Sequence, residues 1–251
     1  MVKPLYFISD VHLGFGSPEH ERDKREKLLL LFDEIEQQAE CLYIVGDLFD
    51  FWFEYKHAIP KGHHAVLAAL ERLVRRGVPV TYMAGNHDFA IGSYFEEELG
   101  VRVVHDDIRF TYDGKTFYLY HGDGLAVKDT GYKILKSILR NRAAQWAFRW
   151  LHPDVGIGLA RTSSHSSRQY TSGKKYGPID GMRLEAEKQI QAGADYVIMG
   201  HRHIPAMEQI AGGLYINLGD WLRYYSYARY ERGEVRMYTI KEGASKPLDT
   251  E

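Results

Sequence analysis

The chain has 251 residues, 32 Lys and Arg against 34 Asp and Glu, and a formal net charge of −2. So even a balance argues against a dedicated nucleic-acid binder, and the length suffices for one large α/β core without demanding a second domain. Cys41 is the only cysteine, which excludes an internal disulfide framework and fits a reducing cytosol.

In chain order, MVKPLYFIS enters a strand at 4–8 at once, with too little apolar length for a signal peptide. Residues 21–38 read as a helix, with Leu28, Leu31, Phe32 and Ile35 at core spacing. A strand at 42–45 follows, then a helix at 63–76 (AVLAALERLVRR) stopped by Gly77, then a strand at 78–83. Runs at 108–112 and 116–120 flank Gly114 as a hairpin, and an insertion at 125–185 breaks the alternation. Strand-like runs return at 195–199, 214–218, 224–231 and 234–240, the last pair turning at Gly233, and the tail from Gly243 to Glu251 is expected to be loose. No run approaches the roughly eighteen apolar residues of a spanning helix, so the expectation is a cytoplasmic protein, soluble or peripheral.

Five polar clusters sit directly after apolar runs: Asp10-Val11-His12, Gly46-Asp47 with Asp50, Gly85-Asn86-His87-Asp88, His121-Gly122-Asp123, and Gly200-His201-Arg202-His203. Short β-rich runs ending in polar residues are how a sheet presents ligands at the carboxyl ends of its strands. A lone Asp or His at a strand end is ordinarily a cap or turn residue, but five clusters together reverse those odds. Carboxylate, imidazole and amide donors suit Mn, Fe(II), Zn or Co, and two such ions about 3.5–4 Å apart can stabilise an in-line displacement at phosphorus. Gly46, Gly85 and Gly200 read both as turn glycines and as points where backbone approaches the metals. Asp50 and Asp88 fit residues that orient histidines or neighbouring loops, and Asp123 stands between that role and a simple turn.

The order DxH, GDxxD, GNHD, HGD and GHxH resembles the calcineurin-like metallophosphoesterase superfamily over residues 5–221. The resemblance implies an α/β fold of two stacked sheets flanked by helices, with two divalent metal ions, manganese first and iron or zinc as substitutes. It places Asp10, His12, His203 and Asp47 on one ion and Asp47, Asn86, His121 and His201 on the other, with Asp47 as the bridge. Asn86, His87 and His201 are the residues it implies at the phosphate during catalysis.

DVHLG at 10–14, GDLFDFWFEY at 46–55 and the long insertion are similar to the superfamily's UDP-2,3-diacylglucosamine diphosphatase branch of lipid A biosynthesis. That branch implies cleavage of a lipid-linked nucleotide to UMP and a lipid monophosphate. It also implies substrate contacts in the insertion at Asp129, Arg161, Ser164 and Arg168. Arg168 stands where much of the family has a different polar residue. Members of the branch resemble GNRD at the third motif, whereas this chain carries His87, which can donate a proton as arginine cannot.

Between Thr130 and Pro153 there is no acidic residue, while Lys133, Lys136, Arg140, Arg142 and Arg149 interleave with Trp146, Phe148, Trp150 and Leu151. Such a stretch can cap the core, lie on an anionic membrane such as the cytoplasmic face of the inner membrane, or form a helical lid with an acyl-chain chute. Two other functions stay open. One is a metallophosphoesterase acting on a soluble nucleotide or phosphorylated metabolite; the other is a non-catalytic scaffold, although scaffolds typically lose metal ligands and this chain has the full set.

Overall fold

The computed structural model describes residues 2–88, 90–125, 141, 146–152, 154–156, 158 and 181–249. Strand β1 (Leu5–Ile8) is followed by helix α1 (Pro18–Gln38), β2 (Cys41–Val45), α2 (His64–Arg75) and β3 (Val80–Met83). The one-turn helix α3 (Tyr94–Glu97) leads to β4 (Arg102–Val104), β5 (Ile108–Tyr112) and β6 (Lys115–Tyr120). After the insertion come α4 (Gly181–Gln191), β7 (Tyr196–Met199), β8 (Pro205–Ile210), β9 (Gly213–Leu218), β10 (Ser226–Glu231), β11 (Glu234–Lys241) and β12 (Ala244–Pro247).

The strands form a seven-stranded sheet in the order β12-β11-β10-β1-β2-β3-β4 and a five-stranded sheet in the order β5-β6-β7-β9-β8. β1 to β4 run parallel, as do β6, β7 and β9. Alternation along each strand sends its two faces to different cores. Leu5, Phe7, Val45 and Met83 meet Phe117, Leu119, Ile198 and Ile216 between the sheets. Tyr6, Ile8, Leu42 and Ile44 face the other way, onto Leu28, Phe32 and Ile35 of α1 and Leu70 and Leu73 of α2. Met182, Ala186 and Ile190 of α4 cover the outer face of the second sheet at Tyr118, Val197 and Met199.

α1 begins three residues earlier than the apolar periodicity indicates. Ser17 accepts the His20 N–H at 3.2 Å, and Pro18 follows with its φ already set for a helix. The tail expected to be loose is corrected in part: residues 244–247 pair antiparallel with β11, and the Ser245 hydroxyl donates to Glu34 of α1. ASKP carries no apolar alternation, so only the open edge of β11 makes it a strand. β8 (PAMEQI), which likewise lacks apolar alternation, is held as a strand by β9. The last residues assigned to the insertion, 181–185, belong to α4 instead, where Met182 is buried in the core.

Among the described residues of the insertion, 146–148, 154–156 and 158 are helical. Phe148 packs on Phe53 at 4.6 Å, while Trp146 and Trp150 are 62% and 76% exposed. Asp129, Arg161, Ser164, Arg168, Lys133, Lys136, Arg140 and Arg142 lie outside the described residues. Among those described, no helix is long and apolar enough to cross a membrane.

Candidate metal centre

The carboxyl ends of β1, β2 and β3 in one sheet and of β6, β7 and β9 in the other open onto a single edge of the sandwich. Strand pairing continues beyond β1 and β2: Asp10 N–H donates to the Gly46 carbonyl at 3.1 Å and His12 N–H to the Asp47 carbonyl at 3.0 Å. The first two motifs are thereby held side by side. Five of the seven candidate ligands, Asp10, His12, Asp47, His201 and His203, have left-handed φ between 49° and 67°. Such conformations are uncommon for residues with a Cβ and cluster where function requires a side chain to turn out of a strand end.

All seven candidate ligands converge. His12 Nε2 lies 3.8 Å from both Asp10 Oδ1 and Asp47 Oδ2, and His203 Nε2 lies 3.5 Å from Asp10 Oδ1. On the other side of Asp47, His121 Nε2 stands 3.3 Å from Asp47 Oδ2 and 3.0 Å from Asn86 Oδ1, and His201 Nδ1 is 2.9 Å from the same amide oxygen. Asp47 therefore faces both half-clusters. Asp10, His12, Asp47 and His121 are buried, and Asp10 Oδ1 accepts no hydrogen bond among the described residues. A buried carboxylate oxygen left in that state costs free energy, and a cation would remove the cost. The mixed oxygen and nitrogen donors fit a divalent transition metal.

Packing leaves no room for side chains at two glycines. A Cβ on Gly85 would collide with Asp47 Oδ1 and stand 2.6 Å from the Asp47 nitrogen. One on Gly200 would collide with Asp10 Oδ2 and stand 2.6 Å from Ser9 Oγ. Close approach to the ligands is therefore the stricter demand on both.

The electrostatics follow from crowding charges out of water. Burial works against a charge on His121, but Asp47 beside it outweighs burial and pushes its pKa up to about 10. Burial and the neighbouring His121 bring His201 down to about 4. Burial would raise Asp47, yet His121, His87 and His12 hold it well below the usual carboxylate range. Burial raises Asp10 in spite of His203 and His121. The protein alone thus draws protons onto its imidazoles to offset its buried carboxylates, which is the charge a divalent ion would bring.

Around the ligands stands a second ring of partners. Asp88 accepts the N–H groups of Leu48 at 2.8 Å and Gly85 at 2.7 Å, and the Tyr82 hydroxyl as well. It binds the second motif to the third, which agrees with the loop-orienting role expected of it. Asp50 Oδ1 lies 3.7 Å from both His12 Nδ1 and His87 Nδ1, and its carbonyl accepts His87 Nδ1 at 3.0 Å. Asp123 is buried, and its charge opposes the lowering of His201.

Two partners were missed from sequence. Asp220 Oδ2 lies 3.2 Å from His203 Nδ1, while its Oδ1 accepts the N–H groups of Leu222 and Arg223 at 3.1 and 2.9 Å. The signal was present, since Gly219-Asp220 follows the apolar β9 as Gly46-Asp47 follows β2. Lys24 of α1 is fully buried and donates to the carbonyls of His12 at 2.6 Å and Phe15 at 3.1 Å, paired with Glu21. In a run as charged as PEHERDKREK, nothing marks that lysine as buried.

A buried cluster of carboxylate, imidazole and amide donors at the strand ends of a two-sheet sandwich is the build of a metal-dependent phosphoester hydrolase. The family model for calcineurin-like phosphoesterases matches residues 3–205, and the chain belongs to that family. It is similar to a UDP-2,3-diacylglucosamine hydrolase from Porphyromonas gingivalis, 32% identical with 92% of this chain and 95% of the relative covered. Proteins of the same description from Haemophilus influenzae and Azotobacter vinelandii are 33% and 34% identical. These alignments cover 90% and 86% of this chain and 93% and 90% of the relatives.

Proposed function

We propose that this chain hydrolyses the pyrophosphate bond of UDP-2,3-diacylglucosamine, releasing UMP and 2,3-diacylglucosamine 1-phosphate. The observation that carries the reading is a full set of converging ligands on a chain that aligns along 92% of its length with a hydrolase of that substrate.

Asp10, His12, His203 and Asp47 would hold one divalent cation, and Asp47, Asn86, His121 and His201 a second, with manganese the preferred metal. Bound there, the cations supply a nucleophile from water near neutral pH and polarise the phosphoryl oxygens. Asp47, which stands beside both His12 and His121, would contribute to holding both cations. Asn86, His87 and His201 would surround the α-phosphate and stabilise charge on its equatorial oxygens. The bond from His87 Nδ1 to the Asp50 carbonyl fixes the ring and its tautomer. With Nδ1–H held by that carbonyl, the neutral ring would present an Nε2 lone pair, and only the doubly protonated ring would carry an Nε2 proton for the departing phosphate.

Asp129, Arg161, Ser164 and Arg168 are carried over as substrate contacts, in an insertion that would act as a lid over the acyl chains. The exposed Trp146 and Trp150 support peripheral contact of that lid with the cytoplasmic face of the inner membrane. His87 in place of arginine favours one other reading, a phosphoesterase acting on a soluble nucleotide.

Product analysis with manganese-loaded protein and the lipid nucleotide in detergent, beside an Asp47→Ala control, separates the two. UMP and lipid monophosphate, absent from the control, support the proposal. Metal-dependent hydrolysis of an aryl phosphodiester alone would transfer the site to the second reading.

A further inference from the structure

Two adjoining cavities of about 210 Å³ each open beside the metal centre. They share Leu13 and Gly14, which directly follow the ligand His12, and both reach Lys61 and His63 before α2. The first begins at Asp50, whose carboxylate lies 3.7 Å from His87, so a molecule lying there would be continuous with a phosphate at His87. The second extends to Glu21 and Arg25 on α1.

The charges in these walls are unequally committed. Glu21 accepts the Gly14 N–H at 2.6 Å and is paired with Lys24. Asp50 stands against His12 and His87, and Asp154, at the rim, lies 3.7 Å from His152. Arg25 and Lys61 make no hydrogen bond or ion pair among the described residues. Glu21 is thus paired within the protein, while Arg25 and Lys61 line the cavities without a partner among the described residues and are available to an anion.

We infer that these cavities hold the nucleotide half of the substrate, with Arg25 and Lys61 contacting the nucleoside monophosphate that departs after hydrolysis. The inference rests on the substrate reading above and gives the nucleotide half of an amphiphilic molecule its own site beside the metal centre. Arg25 and Lys61 act on binding and release of the nucleotide.

The test is inhibition by UMP together with kcat and KM for UDP-2,3-diacylglucosamine, measured on the unsubstituted protein, Lys61→Ala, and the Arg25→Ala/Lys61→Ala pair. Losing charge-assisted contacts should weaken UMP inhibition roughly ten-fold or more in the pair and raise KM more than it lowers kcat. The charge-conserving pair Arg25→Lys/Lys61→Arg should retain most of the inhibition. Lys61 is exposed, so Lys61→Ala gives a partial effect without endangering the fold. An unsubstituted protein that cleaves the lipid nucleotide, with UMP inhibition unchanged in the alanine pair, overturns the subsite alone. No cleavage by the unsubstituted protein overturns the substrate reading and the subsite with it.

Discussion

Replacing Asp220 with alanine removes the group that orients His203 while leaving every candidate ligand itself in place. Two losses follow from the structure. His203 Nδ1 loses an acceptor 3.2 Å away, freeing the ring to rotate and lowering the basicity of its other nitrogen. Disrupting such carboxylate–histidine partnerships costs about 10- to 100-fold in metal affinity. Separately, the N–H groups of Leu222 and Arg223 lose the Asp220 Oδ1 acceptor at a half-buried turn, worth about 1 kcal/mol of stability. Asp220→Asn separates the effects, because the amide oxygen can still accept the Leu222 and Arg223 N–H groups while the amide nitrogen, which cannot accept, takes the place of Oδ2 beside His203. Titration calorimetry of the metal-free proteins with manganese gives the affinities, and urea denaturation gives the stabilities. Both variants should bind manganese more weakly than the unsubstituted protein, with most of the stability retained in the asparagine variant alone. Equal manganese affinity in all three would refute the idea that Asp220 acts through His203.

Lys24→Met leaves the carbonyls of His12 and Phe15 without their donor and Glu21 without its cation. It should cost about 1–3 kcal/mol in urea denaturation and weaken manganese binding, since His12 is carried on the released loop. Gly85→Ala forces Asp47 to move, so kcat should fall about 100-fold with circular dichroism unchanged, since a 1 Å misplacement at a reacting centre costs that much. In the metal-free protein the His121 pKa is raised from 6.5 to about 10, so its contribution to stability is full below pH 6.5 and is lost as pH rises through 10. A metal needs that imidazole neutral, so manganese binding at pH 8 should release a proton and tighten with rising pH. Calorimetry in buffers of different ionisation enthalpy reads the release, and none detected would contradict the charge assignment for His121.

The site was more legible than the fold around it. Metal chemistry demands particular residue types, and strands ending in Gly-Asp or His-Gly-Asp display them openly, as at Asp47 and His121. Asp220 follows the same grammar but, unlike Asp47 with Asp50, has no second ligand-type residue close behind it, so it did not stand out. Lys24 is invisible for another reason: its burial is enforced by carbonyls of a loop nine to twelve residues earlier, a tertiary fact that helix periodicity does not encode. Parallel strands buried on both faces, such as β2 and β7, announce themselves as apolar runs. β8 and β12 are edge strands whose sequences carry polar residues on their exposed faces, so their pairing depends on neighbours rather than on their own composition.

The chemistry at the centre of this account is attack at the α-phosphorus of a lipid-linked nucleotide. Hydrolysis of UDP-2,3-diacylglucosamine by the manganese-loaded protein in oxygen-18 water, read by mass spectrometry, tests it most directly. The prediction is one labelled oxygen in UMP and none in the lipid monophosphate. Label in the lipid product, or no release of UMP, would contradict it.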